Sequence, residues 1–437
     1  MKKTLKSIAM LILAAVLLTA LCPQAIATES GEDIAASLAL NLGSETVKQQ
    51  VTVKTFIDGD TVHFNVPESL MPSGVLKARF LAVNTPETTG LVEPWGKKAA
   101  QYTKEKLSNA AAIIIESDDS NWNVDSTGER YLCWVWYREG ENDAYRCLNV
   151  ELLQLGLAKA NSSAQNRYGS VCMAAIEQAK AQKLCIYSGE KDPDFYYGDA
   201  VEMTIKELRI HPEMYNGVKV AFSGIVAVNS DNSVYVEEYD AETGMYYGMS
   251  VYYGYGLNGG GLEILGVGNE SRIVGTVQYY EAGGTWQVSG LSYRAMRPDD
   301  PGNIKLISQG HEAAYAPVSA HTFVNGTVSV ETEEGMAELP YAQLAMSTSA
   351  SMTDLRVKDI YTTADEQSSQ KGAMTLTCEQ DGTLVTVRTG VLLDASGNVI
   401  TQDAYLGKTI DVKGVVDFYD GEYQIKVFSA RGITVHE

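Results

Sequence analysis

At 437 residues the chain is longer than one hydrophobic core usually organises, and at roughly 100–200 residues per domain it should hold two to four domains. Hydrophobic residues make up 45% and charged residues 20%, which excludes a disordered tail or an extended coiled coil. A formal net charge of −21 excludes a general nucleic-acid coat.

In chain order, Lys2, Lys3 and Lys6 precede an apolar run from Ile8 to Leu21 and the small-x-small pattern Ala25-Ile26-Ala27. Residues 1–27 therefore read as an export signal cleaved after Ala27, the apolar run being shorter than the ~20 residues of a membrane span. The mature chain is expected to be secreted. Five cysteines remain after cleavage, Cys133, Cys147, Cys172, Cys185 and Cys378, an odd number for an oxidising compartment. Cys133 and Cys147 flank an expected strand connection and are candidates for a bridge.

Residues 48–195 mix two hydrophobic periods. Strand-like runs fall at 51–57, 61–66, 75–83, 111–117 and 130–137, and helical patterns at about Gly96–Leu107, Leu148–Leu155 and Ser170–Leu184. Five strands with helices interposed late indicate an α+β domain, a small barrel carrying three helices. Its charge is near balance, with 16 basic residues against 19 acidic. The turn-rich stretch SGEKDPDFYYGD ends it.

From Tyr196 to Glu437 there are 15 basic residues against 32 acidic, so the acidity of the chain sits here and does not favour a phosphate backbone. Alternating apolar positions dominate, and MRPDDPGN marks a break near residue 300. The segment VGTVQYYEAGGTWQV (274–288) resembles KGVVDFYDGEYQI (413–425), which points to two related β modules at about 200–308 and 318–437. Each fits the small five-stranded barrel of oligonucleotide-binding (OB) folds. Aromatic residues such as Tyr279, Tyr280 and Trp286 are suited either to base stacking or, more commonly in β domains, to cross-strand packing.

The residues that carry chemistry cluster in the first domain: Asp58-Gly59-Asp60 between two strands, Arg79 within an apolar strand, Asn84-Thr85-Pro86-Glu87 after it, and Arg130 opening the last strand. A guanidinium in an apolar strand requires an anionic partner. Carboxylates, a carboxamide and a carbonyl held extended by Pro86 form an all-oxygen set, which suits calcium rather than zinc. Cation, guanidinium groups and a spare carboxylate together match what phosphodiester hydrolysis needs.

The order FIDGDTV, RFLAVNTPE, EPWGKKAAQYTKEKL, D-x-x-G-x-R, LNVELLQLGLAKA and EQAKAQKLCIY resembles the staphylococcal (micrococcal) nuclease family over about residues 50–188. The resemblance implies calcium ligands at Asp60, Asn84 and the Thr85 carbonyl, with Asp58 in the outer shell. It implies that Glu87 activates the attacking water and that Arg79 and Arg130 hold the scissile phosphate of DNA or RNA. Two departures stand out. Asn84 replaces an aspartate of the founding member, and Asn161–Tyr168 lacks its closely spaced tyrosines, leaving Tyr168 as the candidate for substrate stacking. The alternative function is a catalytically inactive, nuclease-like nucleic-acid-binding protein.

Overall fold

The computed structural model describes residues 32–436 apart from 89–91, 255, 256, 258, 282, 333, 334, 365–367 and 369. The export signal expected over 1–27 lies outside the described residues.

The first barrel is built from five strands, β1 (Lys48–Phe56), β2 (Thr61–Asn65), β3 (Val75–Phe80), β5 (Ala112–Glu116) and β6 (Tyr131–Arg138), with the short β4 (Ala82–Asn84) outside the ring and α1 (Gly96–Ser108), α2 (Leu148–Gln154) and α3 (Gly169–Ala181) packed on it. β1 pairs antiparallel with β2 and β5, β2 with β3, and β5 with β6, and a parallel pairing of β3 with β6 closes the ring. Strand β6 alternates Trp134 and Trp136 with Cys133, Val135 and Tyr137, and all five are buried, because it is covered on both faces. Helix α1 buries Gly96, Ala99, Thr103 and Leu107, a stripe at helical spacing, and leaves its lysines outside.

The run expected as one strand over 75–83 is two strands. Ala82 adopts a left-handed conformation (φ 67°), a position that costs a non-glycine residue energy and persists only where its surroundings fix it. Here the buried Asn149 of α2 fixes it. Its Nδ2 donates to the Leu81 carbonyl at 2.8 Å and the Cys133 carbonyl at 3.1 Å, while its Oδ1 accepts from Val135 N–H at 2.8 Å. The break sends β4 away from the barrel to pair with residues Lys159–Asn161.

The chain ahead of residue 48 packs on this domain too. Ala35 N–H donates to Gln154 Oε1 at 2.8 Å, Asp33 pairs with Arg146 at 3.0 Å, and Thr46 Oγ1 donates to the buried Glu116 at 2.6 Å. The candidate pair Cys133 and Cys147 is not bridged, and all five cysteines described are free thiols. Cys147 lies opposite Trp136, three residues along the strand from Cys133. At ~3.3 Å per residue that is roughly 10 Å, beyond the ~7 Å Cα limit of a disulfide.

Two further five-stranded barrels follow. After helix α4 (Ile205–Ile210), the second has β7 (Lys219–Ser230), β8 (Ser233–Asp240), β9 (Met245–Tyr252), helix α5 (Gly260–Ile264), β10 (Glu270–Tyr280) and β11 (Thr285–Ser289). The third has β12 (Ser349–Thr362), β13 (Met374–Gln380), β14 (Thr383–Thr389), β15 (Thr409–Tyr419) and β16 (Glu422–Val427). In both, as in the first barrel, the first strand pairs with the second and fourth, and the third runs parallel to the fifth. The chain is therefore an α+β OB-type barrel with three helices followed by two mainly-β OB-like barrels. The internal repeat falls on β10–β11 and β15–β16, the equivalent hairpin in each. Tyr279 and Trp286 face each other across the first of these at 5.0 Å between ring centroids.

The second and third barrels share one continuous apolar cluster, whereas the first has its own. Gly248 marks how closely the two press together: a Cβ there would lie 2.3 Å from the Ser347 carbonyl carbon. Glu237 of β8 is buried in the same junction and accepts from Ala314 N–H and Ser349 N–H, both at 2.8 Å, and from Ser349 Oγ at 3.0 Å.

Candidate active site

The site begins in the turn between β1 and β2. Asp60 is fully buried and Asp58 nearly so. Asp60 N–H donates to Asp58 Oδ1 at 3.0 Å, the Asp-turn geometry that a short DGD connection favours. Gly59 is required by its neighbours, since a Cβ would stand 2.9 Å from the Thr85 side chain and 3.0 Å from Ala99 Cβ of α1. Thr103 Oγ1 donates to the Gly59 carbonyl at 2.6 Å, so the helix pins the turn.

Arg79 enters this nest from β3, half-buried, with its guanidinium donating to Asp60 Oδ1 and, at 2.5 Å, to Asn84 Oδ1. Thr85 N–H donates to Asp60 Oδ2 at 2.8 Å. One buried carboxylate thus ties together β3 and the segment that follows β4. Because β3 lies parallel to β6, with Arg79 opposite Leu132, the head of β6 comes to the same end of the barrel. There Arg130 Nε and Nη2 donate to Asp125 Oδ2 at 2.7 and 2.6 Å. The turn that carries it, Asp125–Arg130, is closed by Asp125 N–H donating to the Arg130 carbonyl at 2.8 Å. Glu129 sits in this turn beside Lys77, exposed.

Glu87 follows Pro86, half-buried, and its backbone N–H donates to Glu93 Oε2 at 3.1 Å. Its carboxylate has no hydrogen-bond partner among the described residues. Burial, then the charge of Asp58, push its pKa above the ordinary carboxylate value, against the opposing pull of Arg79 and Arg130. Asp58 is likewise raised by burial, with Arg79 first, then Thr61 and then Arg130 acting against it. Burial lowers the Arg79 pKa, partly offset by Asp58 and Glu87. These mutual influences place Asp58, Glu87, Arg79 and Arg130 within one another's field.

Tyr168 stands apart from this cluster. Its ring packs edge-on to Trp134 (4.9 Å) and Trp136 (5.7 Å), and its hydroxyl donates to Glu116 Oε2 at 2.9 Å. Three residues that hold the site together were not singled out from the sequence: Asp125, which orients Arg130, Thr103, which pins the turn, and Asn149, which sets the β3–β4 break. Of these only Asp125 lay within a recognisable motif, as the first residue of D-x-x-G-x-R.

For calcium, the observation that bears on fit is the placing of Arg79. A single cationic group bridges Asp60 Oδ1 and Asn84 Oδ1, so these two oxygens already converge on one positive charge. The Thr85 carbonyl accepts no hydrogen bond among the described residues. The set is all oxygen, and it fits a hard divalent cation.

The first domain is thus an OB barrel with carboxylates and guanidinium groups gathered at one end. The profile described as staphylococcal nuclease homologue matches residues 77–189. The chain is 31% identical over 139 residues to a thermonuclease of Staphylococcus intermedius, an alignment covering 31% of this chain and 74% of that protein. It is 32% identical over 165 residues to a thermonuclease of Staphylococcus hyicus, covering 37% of this chain and 86% of that protein. The chain belongs to the staphylococcal nuclease family.

Proposed function

We propose that this protein is a secreted, calcium-dependent nuclease that hydrolyses phosphodiester bonds of DNA, RNA or both. Residues 48–195 form its catalytic domain, and 200–308 and 318–437 are accessory modules. The observation that carries the reading is the meeting of two guanidinium groups and an unpartnered carboxylate, Glu87, beside a buried pair of aspartates. Asp60, Asn84 and the Thr85 carbonyl are the proposed calcium ligands, with Asp58 behind them. Bound calcium would supply positive charge at the phosphate and neutralise the aspartates.

In this scheme Glu87 takes a proton from the attacking water on a carboxylate oxygen, and its raised pKa makes it a stronger base than an exposed glutamate. Arg79 and Arg130 donate to the phosphoryl oxygens, where negative charge grows in the transition state. Asp125 holds Arg130 in place for that role. The test is cleavage of DNA and of RNA by the purified full chain with calcium, with a chelator, and as Glu87→Ala. Calcium-dependent cleavage that the variant loses is expected. Equal inertness of both proteins in calcium, with nucleic acid still bound, would establish a binding protein instead.

A further inference from the structure

The junction of the second and third barrels holds a group that the nuclease reading does not use. Arg209, the fifth residue of α4, is 4% exposed. Its Nε and Nη2 donate to the Gly248 carbonyl at 3.1 and 2.7 Å. Nη1 has no hydrogen-bond partner among the described residues, and no carboxylate there lies within ion-pair distance of the guanidinium. Burying a charge without a counter-charge is costly, and such groups are normally paired. Burial lowers the Arg209 pKa to about 10, so it is still cationic at neutral pH.

Arg209 is also part of the wall of a cavity of about 190 Å³ that opens between the two barrels. Three aromatic rings share the wall with it: Trp286 of β11, and Phe418 and Tyr423 of the β15–β16 hairpin, the last two in ring contact at 5.0 Å. Gln343 and Glu213 also line it and offer a carboxamide and a carboxylate. The arrangement pairs one deep cation with flat apolar faces and with groups able to hydrogen-bond a polar ring edge.

We propose that this cavity binds a mononucleotide, its phosphate on Arg209 and its base against Trp286, Phe418 and Tyr423. The phosphate supplies the missing counter-charge. The base gains stacking on the aromatic faces. Gln343 and Glu213 are then placed to meet the edge of the base, which favours rings bearing amino and imino groups. The site does not depend on catalysis in the first domain, although a nuclease would release such molecules nearby.

The test is calorimetric titration of the full chain, in chelator, with adenosine and uridine 5′-monophosphates, with adenosine alone and with inorganic phosphate. Saturable binding of a nucleotide is expected, with adenosine and phosphate each at least tenfold weaker. Arg209→Gln and Phe418→Ala should each weaken nucleotide binding at least tenfold, and Arg79→Ala should leave it unchanged. Should Arg209→Gln fail to fold, Thr285→Trp, which fills the cavity from β11, should abolish binding in a folded protein. Absence of saturable binding, equal binding of free phosphate, or loss of binding in Arg79→Ala with none in the cavity variants would overturn the proposal.

Discussion

Asn84 is the position at which charge can be added to the proposed calcium site without moving a backbone atom. Its Oδ1 already accepts from Arg79 at 2.5 Å, and Asn84→Asp replaces that carboxamide by a carboxylate of nearly the same shape. At an effective dielectric of about 20, a unit charge pair at about 4 Å is worth roughly 4 kcal/mol, so a divalent ion gains roughly 8 where a guanidinium gains roughly 4. The difference favours calcium over Arg79 by up to about 4 kcal/mol before the new carboxylate is desolvated. Desolvation of a half-buried carboxylate removes a large part of this, leaving about 1–2 kcal/mol, a factor of roughly 5–30 in affinity. The measurement is calorimetric calcium titration of parent and variant, with circular dichroism to establish that both are folded. Equal or weaker calcium binding by a folded Asn84→Asp protein would remove Asn84 from the ligand set.

Four other outcomes are expected. Glu87→Gln should lower kcat by about 10²–10⁴ while leaving calcium affinity within twofold, as measured by initial rates and titration, because the residue acts on water rather than on the ion. The acid limb of the kcat/KM profile should lie above the range of an ordinary glutamate, since protonating Glu87 removes the base. Asp58→Asn takes away a charge that raises that pKa, so the limb should move to lower pH, and a limb that stays or rises contradicts the assignment. Gly59→Ala should destabilise the chain by about 1–3 kcal/mol in urea unfolding, because a methyl at 2.9 Å from Thr85 must displace either that residue or α1. Asn149→Leu should cost about 2–6 kcal/mol, the Val135 N–H and Leu81 carbonyl being orphaned at about 1–3 kcal/mol each.

The parts of the site that a reader of the sequence can place are those fixed by short-range patterns. Asp58 and Asp60 are set by a tight Asp-Gly-Asp turn between alternating runs. Arg79 declares itself as a charge in an apolar strand, and Pro86 fixes an extended approach to Glu87. The parts that could not be read depend on atoms remote in the chain. The left-handed Ala82 looks like an ordinary strand residue until Asn149, 68 positions away from Leu81, is seen to hold the Leu81 carbonyl. The same holds for the first domain's edge: Thr46 and Asp33 look like linker residues, yet they satisfy Glu116 and Arg146. Nothing in the local sequence marks Glu237 for burial between two barrels, a placement that only the docked third barrel can create.

One pairing connects the legible and illegible parts. Nothing in the sequence around Arg79 or Arg130 says that the two come to one end of the barrel, and 51 positions separate them. They meet because β3 and β6 run parallel, and the parallel pairing of third and fifth strands is what closes each of the three barrels. The same closure therefore does different work in each copy. In the first barrel it delivers two guanidinium groups to one end, Arg79 paired with Asp60 of the β1–β2 turn and Arg130 with Asp125. In the second it sets Trp286 of β11 beside the strand that carries Gly248, the carbonyl on which Arg209 is anchored. In the third it orients the hairpin bearing Phe418 and Tyr423 toward that same arginine. The acidic modules thus carry a buried cation where their overall charge predicts none, and a charge kept at that cost in a shared junction argues that the two barrels act as a single unit.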